Sequence, residues 1–198
     1  MNVPNKITVC RIILSIFLMI LMIFPTEKIG IIFPEISVSG KFIMNSKYLL
    51  CGIIFLIASL TDFIDGYLAR KYNLVTDLGK IMDAIADKIL VNAVLIIFAV
   101  SGQISVIVPI VIVCRDIAVD SIKMIAGSKN GAVAASKTGK LKTACMMSGL
   151  TLLFFYDLPF SLWDIQVSNV LIMIATILSV ISGIEYYHKN KKYILSSK

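Results

Sequence analysis

Six stretches of the chain are almost continuously apolar: about Ile7 to Phe24, Tyr48 to Tyr67, Leu78 to Val100, Ile104 to Ala126, Leu141 to Tyr156 and Val167 to Tyr187. A helix of about 20 apolar residues crosses the hydrocarbon core of a bilayer, so the pattern predicts an all-α integral membrane protein with six transmembrane helices. The first run is interrupted only by Arg11 and ends at Pro25. Pro25-Thr26-Glu27-Lys28 follows where a signal peptide would carry a small-residue cleavage site, which predicts a retained span. Ahead of it, Met1 to Arg11 mixes polar and apolar positions and reads as a short N-terminal segment lying along the interface.

Composition strengthens this picture. Hydrophobic residues make up 58% of the 198 and charged residues 16%, with a mean hydropathy of +0.91, against about 45–50% and 25% in soluble proteins. Disorder, collagen and disulfide scaffolds are excluded, and a soluble globule nearly so, because a sphere of this size cannot hide so much apolar surface. The net charge is +7, and its distribution orients the chain. One side of the spans collects Lys6, Arg70, Lys71, Lys80, the stretch Lys123 to Lys142 and the tail with Lys189, Lys191, Lys192 and Lys198, while the other holds only Lys28, Lys41 and Lys47. The positive-inside rule then puts both termini in the cytoplasm. Residues 1–198 read as a single domain, multi-pass in the cell membrane, with membrane lipids and no nucleic acid as the partners of its basic residues. The tail lysines beside Tyr186 and Tyr187 read as interface anchors.

Several features carry no chemistry. The segment Gly127 to Lys142 is rich in Gly, Ser, Ala and Lys, but Ser136 stands five residues after Gly131 where a Walker phosphate loop needs glycine. Cys10, Cys51, Cys114 and Cys145 are far apart in apolar runs and read as buried, inert thiols. The one histidine, His188, ends the last span and leaves no basis for a histidine triad or di-histidine metal site.

The acids are different. Seven of the twelve fall between Asp62 and Asp120, on or beside the spans, where each costs about 2.5–3.5 kcal/mol at mid-bilayer. Asp62 and Asp65 are spaced i, i+3, and Asp83 and Asp87 i, i+4, so each pair projects from one helix face. A short basic turn makes the two helices antiparallel neighbours, with both pairs near the cytoplasmic ends. Four such carboxylates form a hard, oxygen-only set suited to Mg²⁺ or Mn²⁺ and poorly suited to zinc. Gly66 and Gly79, with Ala69, leave room beside them for a backbone or a flat ligand, and Arg70 can reach a phosphate.

Written out, the constellation is Asp62-x-x-Asp65-Gly66-x-x-Ala69-Arg70, eight residues, then Gly79-x-x-x-Asp83-x-x-x-Asp87. This resembles the signature of the CDP-alcohol phosphatidyltransferases at every fixed position. Pro4-Asn5-x-Ile7-Thr8-x-x-Arg11, Arg115-Asp116, Gly139-Lys140-x-Lys142-Thr143 and Ser182-Gly183-Ile184-Glu185-Tyr186 are similar to segments of the bacterial phosphatidylglycerophosphate synthase branch. Against that branch, Ala84 replaces a usual proline, Asp116 a common glutamate and Lys123 a frequent arginine, and Asp120 is an added acid.

The resemblance implies an enzyme of phospholipid biosynthesis that moves a phosphatidyl group from CDP-diacylglycerol to an alcohol, here glycerol 3-phosphate, and releases CMP. It implies two metal ions, Mg²⁺ or Mn²⁺, on Asp62, Asp65, Asp83 and Asp87. Asp65, Gly66, Ala69, Arg70 and Gly79 would form the CDP pocket, and Asp87 would be the catalytic base. Arg115, Lys123 and Lys140 would bind the acceptor phosphate, the alternative for Arg115 being a salt bridge to Asp116 or Asp120. A homodimer with its active site facing the cytoplasm is also implied. Another acceptor such as inositol phosphate or serine, a membrane prenyltransferase and a divalent-cation carrier are the competing readings. The first changes only the acceptor; the other two leave Gly66-x-x-Ala69-Arg70 or the one-sided aspartates without a purpose.

Overall fold

A computed structural model describes residues 3–38, 42–72, 77–130, 136–163 and 165–195. Within these, the side chains at 3, 4, 29, 38, 42, 43, 63, 65, 67–70, 77, 78, 80, 128–130 and 192–195 lie outside the description. Six long helices account for most of the chain: α1 (Val3–Ile23), α2 (Ser46–Lys71), α3 (Asp77–Val100), α4 (Ile107–Asn130), α5 (Lys137–Phe154) and α6 (Val167–Leu195). Each contains most of one apolar run. Two of them, within Asn5–Ile23 and Val167–Lys191, are long and apolar enough among the described residues to cross a membrane by length and composition.

Three features depart from the sequence expectation. Residues 3–11 form no separate interfacial segment; they are the first turns of a continuous α1. Between α1 and α2 the chain makes a short antiparallel hairpin of β1 (Glu35–Val38) and β2 (Phe42–Asn45), with Ile36 opposite Met44. Cys10 and Cys114 are exposed and only Cys51 is buried, all of them free thiols.

The chain divides into two compact units, Met1–Ile97 with Thr151–Ile165, and Phe98–Leu150 with Gln166–Lys198. In the first, α1 lies against α2. Leu18, Cys51, Phe55, Leu90, Val94 and Phe154 are fully buried, and the rings of Phe55 and Phe154 sit 5.4 Å apart. Gly52 permits this approach, because a Cβ there would meet the Phe154 Cβ at 2.8 Å. The last carbonyls of α1 have no intrahelical partner; the Lys47 ammonium donates to Phe24 O at 2.9 Å and Met22 O at 3.3 Å. The Asn45 N–H donates to the Tyr156 hydroxyl at 3.1 Å, and Tyr48 meets that ring edge-on.

α1 is amphipathic the wrong way round for water. Asn5, Thr8, Arg11 and Ser15 recur every three or four residues, share one face and are all buried. Ile13, Phe17, Ile20 and Ile23 are 55–68% exposed. An inward polar stripe under an outward apolar surface suits a lipid environment and would be costly in water.

In the second unit α4 packs on α6 through buried Ile112, Val119, Ile172 and Ala175. Gly149 lets α5 approach α6, a Cβ there meeting Ile172 Cγ1 at 2.8 Å. The unit begins at the end of α3, which closes in a Schellman motif: Gly102 takes a left-handed backbone at φ 75°, with Gly102 N–H on Ala99 O and Gln103 N–H on Phe98 O. Ser136 caps α5, its hydroxyl accepting the Gly139 N–H at 3.0 Å.

Candidate functional site

The functional side chains form two groups, one in each unit. In the first unit, Asp62 comes from α2 and Asp83 and Asp87 from α3. The helical spacing of the sequence puts Asp83 and Asp87 one turn apart on one face, and Asp62 lies within electrostatic range of both. Asp62 and Asp83 meet on a single positive atom. Arg11 Nη1, from α1, donates to Asp62 Oδ1 in a short contact and to Asp83 Oδ1 at 2.9 Å. The Arg11 side chain is 1% exposed, whereas those of Asp62 and Asp83 are 38% and 45% exposed. The guanidinium is thus buried beneath carboxylates that open outward.

Gly66 and Gly79 are half-buried on α2 and α3. The backbones of Asp65, Ala69 and Arg70 belong to α2, but their side chains lie outside the described residues. Among the described residues no three acid, cysteine or histidine side chains are gathered closely enough to enclose an ion. The chemistry of the donor set nevertheless fits a hard divalent cation: its donors are all carboxylate oxygens, and two from different helices already converge on one positive centre.

The second group surrounds Arg115 on α4. Its Nε donates to the Ser179 carbonyl at 3.0 Å, Nη1 to Asp116 Oδ1 at 2.9 Å and Nη2 to the Ser182 hydroxyl at 2.6 Å. Gly183 leaves room for its stem, since a Cβ there would meet Arg115 Cγ at 3.2 Å. The Asp116 Oδ1 atom also accepts from Lys142 Nζ at 2.8 Å. The Tyr186 ring lies 5.9 Å from the Arg115 guanidinium and 5.2 Å from Lys123 Nζ, within cation–π range. Its hydroxyl accepts the Ser136 N–H at 2.9 Å. Beside it, Thr138 donates to Glu185, which also takes Lys189 at 2.5 Å. Lys140 is exposed on the first turn of α5.

The structure therefore brings Asp62 and Asp83 together, with Asp87 on the same face of α3, and gathers Arg115 and Lys123 around Tyr186. Sequence reading left four contributors outside the site. Arg11 is one, although a lone charge in an apolar run already signals a buried anionic partner. Lys142 is a second, held by Asp116. Ser182 is the third. Tyr186 is the fourth: it is 4% exposed, a buried contact of two cations, and so is not an interface anchor.

Known proteins resemble the chain along its length. The family model described as CDP-alcohol phosphatidyltransferase matches residues 1–181. A protein of Bacillus subtilis (strain 168) named CDP-diacylglycerol–glycerol-3-phosphate 3-phosphatidyltransferase is 37% identical over 196 residues, covering 99% of this chain and 98% of that protein. A protein of the same name from Rickettsia felis is 31% identical over 194 residues, with 97% of each chain covered. An Arabidopsis thaliana protein, CDP-diacylglycerol–glycerol-3-phosphate 3-phosphatidyltransferase 2, is 39% identical over 114 residues, half of this chain. The match of the family model to most of the chain, and of the two bacterial relatives to nearly all of it, means that the chain belongs to the CDP-alcohol phosphatidyltransferase family.

Proposed function

We propose that the protein transfers the phosphatidyl group of CDP-diacylglycerol to glycerol 3-phosphate, giving phosphatidylglycerophosphate and CMP. The acceptor follows the names of the full-length relatives. The observation that carries the chemistry is the meeting of Asp62 and Asp83 on one cationic nitrogen, a site already suited to positive charge. Asp62, Asp65, Asp83 and Asp87 are the residues to hold two Mg²⁺ or Mn²⁺ ions. Bound there, the ions would supply positive charge that offsets the carboxylates and the pyrophosphate.

The chain's own groups divide the remaining tasks. Asp65, Gly66, Ala69, Arg70 and Gly79 bind the CDP moiety, with the glycines giving the nucleotide close access to the helix backbones. Asp87 takes the proton of the acceptor hydroxyl. The oxygen so exposed attacks the phosphorus bearing the diacylglycerol, the bond from that phosphorus to the bridging oxygen breaks, and CMP leaves with the electron pair. Arg115, Lys123 and Lys140 bind the acceptor's phosphate; Arg115 is already oriented by Ser179, Ser182 and Asp116. We also read all six helices as spans, the lysine-rich ends as cytoplasmic, the site as facing the cytoplasm of the cell membrane, and the working form as a homodimer. The inward polar stripe of α1 and the exposed apolar residues support the membrane reading.

Purified protein given CDP-diacylglycerol and a panel of acceptors tests this. Release of CMP with glycerol 3-phosphate, and not with inositol phosphate or serine, is the expected result. A chelator should stop it, and Asp87→Asn should lower turnover by about 10²-fold or more while the protein still inserts. Turnover that survives the chelator sinks the metal assignment; near-normal turnover of the Asn variant removes Asp87 as the base.

A further inference from the structure

Arg11 poses a problem of charge. A guanidinium is always protonated, and one inside a span is expensive unless paired. This one is 1% exposed and sits within the polar stripe Asn5, Thr8, Arg11, Ser15. It brings one nitrogen, Nη1, to the Oδ1 atoms of Asp62 and Asp83 on two different helices. Asp62 and Asp83 are among the carboxylates proposed above to hold divalent ions, so this inference rests on that assignment.

We propose that Arg11 is a built-in counter-ion that competes with divalent metal for Asp62 and Asp83. With no metal bound, two partly buried carboxylates facing each other would repel and splay α2 from α3; a charge shared between them from α1 holds the three helices in register. A metal ion would draw on the same two carboxylates and carries the same sign as Arg11. Every ion that binds must therefore displace or weaken the Arg11 contacts, and the measured affinity is the intrinsic one reduced by that competition. Arg11 thereby fixes the site's shape before metal arrives and sets the metal concentration at which it fills. It acts through Asp62 and Asp83 and is a positioning residue.

The test is Mn²⁺ binding, followed by electron paramagnetic resonance on the purified full chain in detergent, together with thermal unfolding in chelator and in saturating Mg²⁺. Arg11→Gln should bind Mn²⁺ about tenfold more tightly than the parent, as loss of one close like charge implies. It should unfold at a lower temperature than the parent in chelator, with the gap narrowing in Mg²⁺. Arg11→Lys keeps the charge but loses the guanidinium fork and should fall between the two in affinity, which keeps the test open where the Gln variant fails to fold. An affinity equal to or weaker than the parent's in either folded variant, or an equal loss of melting temperature with and without Mg²⁺, overturns the competition. Absence of Mn²⁺ binding to the parent as well as the variants would instead overturn the metal assignment, and this inference with it.

Discussion

Asp116 and Lys142 are joined at 2.8 Å from α4 to α5, with side chains only 14% and 10% exposed. The same carboxylate oxygen holds Arg115 at 2.9 Å. One anion thus satisfies two buried cations, and its loss is more serious than the loss of either cation.

Asp116→Ala should destabilise the protein by about 3–5 kcal/mol, the range for removing one partner of a buried pair. Lys142→Met leaves Asp116 paired with Arg115, keeps an apolar stem in place and should cost much less. Thermal unfolding in detergent ranks the two. Equal losses would mean that Asp116 does not hold Arg115.

Arg115→Ala probes the acceptor side of the proposed reaction. Its KM for glycerol 3-phosphate should rise by about tenfold or more, the equivalent of one charge-assisted contact, with little change in the KM for CDP-diacylglycerol. Steady-state kinetics with each substrate varied in turn checks this. A similar rise for both substrates would assign Arg115 to the Asp116, Ser179 and Ser182 network alone.

The glycines offer an internal contrast. Gly52→Ala places a Cβ 2.8 Å from the Phe154 Cβ and should cost about 1–3 kcal/mol by overpacking. Gly127→Ala, on α4, meets nothing within 4 Å and should be neutral or stabilising by up to about 1 kcal/mol through helix propensity. Unfolding midpoints of the two variants decide it, and a harmless Gly52→Ala would mean that the α2 approach to Phe154 is loose.

Much of this was legible along the chain because the signals were long or periodic. Runs of roughly 20 apolar residues announce helices, and all six appear. Asp62, Asp83 and Asp87 declared themselves by helical spacing. The hairpin Glu35–Val38 and Phe42–Asn45 did not, because four residues are too few for an alternating pattern to stand out from a loop. Arg11 announced that it needs an anion, but with twelve acids in the chain nothing local says which. Tyr186 misled for a physical reason: a tyrosine near a basic tail fits an interface belt equally well until the fold shows its ring beneath Arg115 and Lys123. The start of α1 misled similarly, since polar residues turned inward and polar residues turned to water give the same periodicity.

The return of Thr151–Ile165 to the unit begun by Met1–Ile97 has a consequence for biosynthesis. Phe154 fills the place beside Gly52 and Phe55, and Tyr156 takes the Asn45 amide. When the ribosome has delivered the first three helices, that slot is still open, and it stays open for another fifty-odd residues. The nascent chain must wait in the membrane with Phe55 uncovered, exposed to lipid or to an insertion factor. A truncation before residue 151 should therefore leave the aspartate-bearing unit unfinished and open to degradation, although Asp62, Asp65, Asp83 and Asp87 have already been made.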